Sequence, residues 1–268
     1  MKKVMLHDLT RPAFEEYLRE NPDPVVIIAL GSIEQHGPHL PLGTDSYGAL
    51  AVARQVAEAT GCLVVQPCWP GFSPHHMGFK GTITLKAETL VAVLLDTIES
   101  LAHHGIKKIL LINAHGGNAQ IVAYVARLAR RRFGSVVIVP DTRGLQDPQK
   151  QAEAFLERMD VHSGPRETSF ALAFFPELVE MERVKGFQST TRLRAPLEEL
   201  RKARGEEAVL AAQLLSAYIP DSHLLTSSGV WGFADPNEAD PEKLKEEMAK
   251  GVEKLIKLVE LWKKIPSD

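Results

Sequence analysis

The chain has 268 residues, 44% of them apolar and 24% charged, and carries a formal net charge of −3. That length can bury a sizeable core, and the charge balance offers no overall attraction to nucleic-acid phosphates or anionic membranes. No stretch approaches the roughly 18 apolar residues of a membrane span. The opening MKKVMLHDLT is too polar for a secretory leader, so a cytoplasmic location is expected.

In chain order, short apolar runs rich in β-branched residues predict strands over 25–30, 62–67, 109–112 and 136–139. Between them, 46–59, 86–104 and 118–132 read as helices. In the second helix Leu90, Leu94, Ile98 and Leu101 form one apolar stripe. Gly61, Gly105 and Gly134 fall between helix and strand, where helix-ending glycines belong. Arg130, Arg131 and Arg132 read as the solvated last turn of the third helix.

Further on, 183–196 has no clear period and reads as an irregular excursion or a hairpin. Leu244, Met248, Val252, Leu255, Val259 and Trp262 share one face of a long C-terminal helix. That face packs on the sheet or on a neighbouring subunit. Strand–helix alternation predicts an α/β fold, a three-layer αβα arrangement around a mostly parallel sheet. With no repeat or linker in view, 1–268 is expected to be a single domain. Cys62 and Cys68 lack CxxC spacing and read as small buried hydrophobes, although Cys68 lies near a strand end.

Two stretches beyond strand ends carry metal-ligand side chains: GSIEQHGPHLPLGTD (31–45) and NAHGGN (113–118). In open α/β sheets that edge is where ligands sit. Glu34 and His36 are two positions apart, so an extended chain projects both on one face. Asp45 then falls at the start of the next helix, in its N-terminal field. Taken singly, Glu34 is a surface acid, His36 and His39 are loop histidines, and Asp45 is an N-cap. Taken together on one loop they point to a metal, with His39 structural.

In NAHGGN, His115 is the ligand candidate, Gly116 and Gly117 allow close backbone approach to a substrate, and Asn118 suits a helix cap. HSGPRETS (162–169) contributes His162 and Glu167, with Thr168 and Ser169 as helix-start hydroxyls. SPHHMGFKGTITL (73–85) contributes Ser73, His75 and His76 and is expected to form a pocket wall, with Ser73 and His76 facing the substrate. Lys80, Arg143 and Arg166 lie near these motifs and could meet a phosphate, though solvation is the simpler role. The absence of GxGxxG, GxxxxGK[ST] and GxSxG argues against nucleotide-binding and serine-hydrolase readings.

These four motifs, taken in chain order at 31–45, 73–85, 113–118 and 162–169, resemble the creatininase (creatinine amidohydrolase) family. The resemblance implies a binuclear centre of zinc, manganese or iron, a homohexamer, and hydrolysis of cyclic amides, formamides or similar C–N bonds in small molecules. It implies that Glu34, Asp45 and His115 hold one ion, and that His36 and Asp45 hold the other with Asp45 bridging. Creatininase takes its last ligand from a glutamate two residues beyond the NAHGGN-type histidine, where this chain has Gly117. The vacancy is assigned to Glu167, because the first acidic position of the related HAGExETS motif is Pro165 here.

No tryptophan lies between Trp69 and Trp231, so the tryptophan lid of a true creatininase is missing and creatinine is not the expected substrate. The implied chemistry is attack of a metal-bridging hydroxide on a carbonyl, with His162 protonating the leaving nitrogen. The alternative is a non-catalytic member of the family that serves as a binding or assembly module.

Overall fold

A computed structural model describes residues 3–140 and 148–267. Four strands, β1 (Val25–Leu30), β2 (Leu63–Val65), β3 (Lys108–Asn113) and β4 (Val136–Ile138), form one sheet in the order β2-β1-β3-β4. Every pairing is parallel, with β1 and β3 in register from Val25↔Lys108 to Leu30↔Asn113. The helices are α1 (Arg11–Glu20), α2 (Thr44–Thr60), α3 (Ala87–His103), α4 (Ala119–Phe133), α5 (Pro148–Arg158), α6 (Pro165–Phe174), α7 (Ala195–Glu199), α8 (Glu206–Tyr218), α9 (Ser222–Leu225) and α10 (Pro241–Trp262).

Strand alternation explains why β1 is apolar throughout. Val25, Ile27 and Ala29 join the core beneath α2 and α10, while Val26, Ile28 and Leu30 join the core beneath α3 and α4. A strand buried on both faces has no position for a polar side chain. The layers are therefore helix, sheet, helix, as expected. The C-terminal helix packs within the chain on α2 and α6: Val252, Leu255, Val259 and Trp262 of α10 share an apolar cluster with Ala49, Val52 and Val56 of α2. The 183–196 excursion is irregular, holding a 3-10 turn at Met181–Val184 and the first residues of α7, with no hairpin. A separate apolar cluster joins α5 to α8 through Leu156, Ala208, Ala211 and Leu215.

The order β2-β1-β3-β4 makes the chain leave β1 towards one edge and return to β3 on its other side. The crevice outside such a switch point is where open α/β sheets bind ligands. Both candidate loops, after Leu30 and after Asn113, open into it. None of the described helices is long and apolar enough to cross a membrane.

Candidate metal centre

The first loop leaves β1 through Gly31. A Cβ there would lie 2.3 Å from the amide nitrogen of Ser46, so only glycine lets the first turn of α2 sit on the strand end. Asp45 is thereby delivered, buried, to the crevice. Ile33 pairs antiparallel with Ile83, which keeps the chain extended through the next residues. Glu34 and His36 then emerge on the same side. At the second strand end, the Asn113 side chain donates to the His115 carbonyl (2.7 Å) and accepts from its amide (3.3 Å), holding the bend that presents His115.

These side chains converge. Asp45 Oδ1 lies 3.4 Å from His36 Nε2, and Asp45 Oδ2 lies 3.0 Å from His115 Nδ1. Glu34 Oε2 is 3.2 Å from His115 Nδ1. Glu167 Oε2 is 3.7 Å from His36 Nε2 and 3.9 Å from His162 Nδ1. Two donor sets share Asp45: Glu34 with Asp45 and His115, and His36 with Asp45 and Glu167; within each set the donor atoms lie within 4.8 Å of one another. A third set, Glu34 with His36 and His162, meets the same limit.

Each ring is turned by a backbone carbonyl. His115 Nε2 lies 3.0 Å from Phe72 O, His36 Nδ1 lies 3.2 Å from Glu34 O, and His162 Nε2 lies 2.6 Å from Gln35 O. The outer nitrogen of each must carry the proton to donate there, which leaves the inner nitrogen facing the carboxylates. That inner nitrogen can hold a proton or a metal ion.

The electrostatics agree. Burial works against charge on His36, yet Asp45, Glu167 and Glu34 push its pKa up to about 10. Burial likewise opposes charge on His115, and Asp45 and Glu34 raise it well above the usual imidazole range. Glu34 is held well below the carboxylate range despite its burial, chiefly by His115. Asp45 is also lowered, against burial and the charge of Glu34, by His36 and His115. His162 is pushed down by burial and by the charge of His36, opposite in direction to His36 and His115.

Three carboxylates and two imidazoles drawn from the 31–45 loop, the end of β3 and the start of α6 form a donor set that suits a divalent ion. Among the described residues, buried His36 Nε2 and Asp45 Oδ2 have no hydrogen-bond partner, as atoms reserved for a cation would. The residues present fit a metal.

The sequence profile described as creatinine amidohydrolase matches residues 7–259, nearly the whole chain. The chain belongs to the creatininase family. The creatinine amidohydrolase of Pseudomonas putida is 31% identical over 199 residues, covering 68% of this chain and 76% of that protein. The 3-dehydro-scyllo-inosose hydrolase of Thermotoga maritima is 34% identical over 168 residues, covering 59% of this chain. The match spans only about half (52%) of the Thermotoga protein. In fold, the chain resembles a solved mutant creatininase of Zn–Zn type, with a TM-score of 0.73 and 24% identity over 99% of this chain and all of that one.

Within this creatininase fold, position 117 is closed to a side chain. A Cβ on Gly117 would stand 2.3 Å from Phe72 O and 2.4 Å from His115 Nε2, leaving no route for a glutamate there. Gly116, by contrast, is exposed, and a Cβ on it would meet nothing within 4 Å. Glu167 reaches the centre from the first turn of α6, which Pro165 opens at its first helical position. Ser163, at φ 55, turns its amide onto Glu167 Oε2 (2.6 Å). Thr168 and Ser169 do not act as helix-start hydroxyls; both bond back to carbonyls four residues earlier.

Other placements also differ from the sequence reading. Ser73, expected against substrate, is fully buried, and its hydroxyl donates to Glu34 and contacts Ser32. His76 is likewise buried, 3.4 Å from Glu34 Oε1, while its neighbour His75 is half-buried and stacks beside His115 with ring centroids 5.8 Å apart. Asn118 occupies the cap position of α4, but its side chain makes no cap bond. Instead it ties Gly31 O to the Phe72 amide (both 2.9 Å), because three strand-end segments meet there.

His39 is structural, bonded to Thr168 Oγ1 at 2.8 Å. Arg166 is exposed and pairs with Glu247, and Lys80 is exposed too; Arg143 lies outside the described residues. Cys68 is half-buried, bonded to Pro70 O. Sequence reasoning passed over Gln35. Its signal was its parity: between two residues that face the centre, an extended chain turns it the other way.

Proposed function

We propose that the chain is a metal-dependent hydrolase of amide-like C–N bonds in small molecules. Glu34, Asp45 and His115 would hold one divalent ion, and His36, Asp45 and Glu167 the other. The observation that carries this reading is the position of Asp45, with one oxygen towards His36 and the other towards His115, two rings whose outer nitrogens are already committed to carbonyls. Mixed nitrogen and oxygen donors suit zinc, manganese or iron. When bound, such a pair supplies an activated water near neutral pH and polarises the scissile carbonyl.

The chain's own residues supply the proton handling. His162 is buried, its Nε2–H is held by Gln35 O, and its Nδ1 faces Glu34 and Glu167 at 3.8 and 3.9 Å. A proton taken up at Nδ1 can pass to the leaving nitrogen while the Gln35 carbonyl stabilises the charged ring. Glu167, a third exposed, stands on the open side of the centre.

Substrates in reach are cyclic amides, formamides and similar small carbonyl compounds. Creatinine is set aside, since no tryptophan occurs between Trp69 and Trp231 to cover it. By family likeness the chain would act as one domain in a homohexamer. The test is elemental analysis of the purified protein, paired with hydrolysis of a panel of lactams and formamides before and after chelation. Two ions per chain and chelation-sensitive turnover are expected. Turnover that survives complete metal removal would refute the proposal.

A further inference from the structure

The imidazoles around Glu34 divide by which nitrogen they turn towards it. His115 and His162 spend the proton of their outer nitrogen on a backbone carbonyl and face Glu34 with the other nitrogen. His76 is wired in the opposite sense. The amide of Gln35 accepts at Oε1 from the Gly37 N–H (3.0 Å) and donates from Nε2 to the Gly229 carbonyl (3.0 Å). A backbone N–H and a backbone carbonyl can each play only one part, so the two ends of that amide are fixed. The same Gln35 Nε2 lies 3.0 Å from His76 Nδ1. His76 Nδ1 is therefore an acceptor, and the ring's proton sits on Nε2, 3.4 Å from Glu34 Oε1.

We infer that His76 is a positioning residue for Glu34: its Nε2–H faces Oε1 at 3.4 Å, a contact longer than a hydrogen bond, so that Oε2 is the oxygen presented to the His115 side of the centre. The inference rests on the reading of Glu34, Asp45 and His115 as metal ligands. Ser73 steadies the same carboxylate from below through Oε2, and neither residue reaches solvent. A carboxylate steadied at both oxygens has one orientation left for a cation, and the entropy of choosing it is lost before the ion arrives.

The arrangement also explains why a segment far along the chain belongs to the site. Gly229 is 194 positions from Gln35 and supplies the carbonyl that orients its amide. Two residues later Trp231 pairs through its backbone with His162, accepting from the His162 amide at 3.2 Å and donating to its carbonyl at 2.9 Å. One short loop thus sets both the donor on Glu34 and the proton-transfer ring.

The test is cobalt(II) titration of the chelator-stripped full chain, followed by visible absorbance, with thermal melting run on every variant. His76→Gln places an amide N–H near the position of Nε2; His76→Phe fills the volume with no donor. His76→Phe should weaken the first of the two cobalt sites about 10- to 100-fold and leave the second intact. His76→Gln should recover most of that loss. Wild-type affinity in a well-folded His76→Phe overturns the inference, as does a His76→Gln variant as weak as His76→Phe. A wild-type chain that takes up no cobalt at all overturns the metal reading itself.

Discussion

A Cβ at Gly117 would stand 2.3 Å from the carbonyl oxygen of Phe72, the oxygen that also faces His115 Nε2 at 3.0 Å. The tight approach and the ring orientation are one fact. Gly117→Ala must push Phe72 away or turn the His115 ring, so metal affinity should fall about 10- to 100-fold. Gly116→Ala, with open space at its Cβ, should leave affinity unchanged. Competition against a zinc-chelating dye separates the two, and equal affinities in both variants would count against this coupling.

Asp45 belongs to both donor sets, whereas Glu167 belongs to one. Asp45→Asn should abolish binding of both ions, and Glu167→Gln should abolish one. Elemental analysis after gel filtration reads the stoichiometry directly. Full occupancy in Asp45→Asn would show that the carboxylate is not shared.

His162→Ala removes the proton-handling ring but no member of the two assigned donor sets. Turnover should drop about 10²- to 10⁴-fold with metal content unchanged. Loss of an ion in this variant would make His162 a ligand, which its distance to Glu34 and His36 also permits.

Without metal, His36 holds its proton up to about pH 10 and His115 is raised well above the imidazole range. A cation must displace both protons. Metal uptake at pH 7 should release about two protons per chain, and affinity should fall as pH is lowered. Calorimetry in buffers of different ionisation heat gives the count. Uptake with no proton release would mean these rings do not bind the ion.

Away from the site, Lys108 is 1% exposed and its ammonium meets Asp23 at 2.6 Å and the Trp262 carbonyl at 3.3 Å. Burial raises the Asp23 pKa, but hydrogen bonds from Lys108 and Ser267 outweigh it and hold the carboxyl below its ordinary 3.8. Its contribution is therefore fully present above that unfolded value and is lost as pH falls through the lower folded one. Asp23→Ala strands a buried ammonium. The cost should be about 2 kcal/mol, less than for a fully buried pair because Asp23 is a third exposed. Urea unfolding at pH 7 measures it, and an unchanged midpoint would argue that water already screens Lys108.

Strand and helix positions were legible along the chain because burial writes a local period. An unbroken, β-branched apolar run over 25–30 suits a strand covered on both faces, and Leu90, Leu94, Ile98 and Leu101 line one side of a helix. Boundaries shifted by a residue or two where hydrogen bonding, not side-chain type, ends an element, as at Thr44 and Phe133. The family, too, was written in the spacing of four motifs. Asn118 was misjudged because a side chain at a helix start competes between the local amide and distant partners, and here Gly31 and Phe72 won.

The sequence by itself determined which residues are chemically able to hold a cation and which strand ends they follow. It could not determine which nitrogen of each ring looks inward, nor that Ser73 and His76 lie buried beneath Glu34. Those choices are made by the carbonyls of Gln35, Phe72 and Gly229, on segments brought together only when the chain folds. Periodicity is a property of neighbours in the chain, whereas a ring's tautomer is a property of neighbours in space.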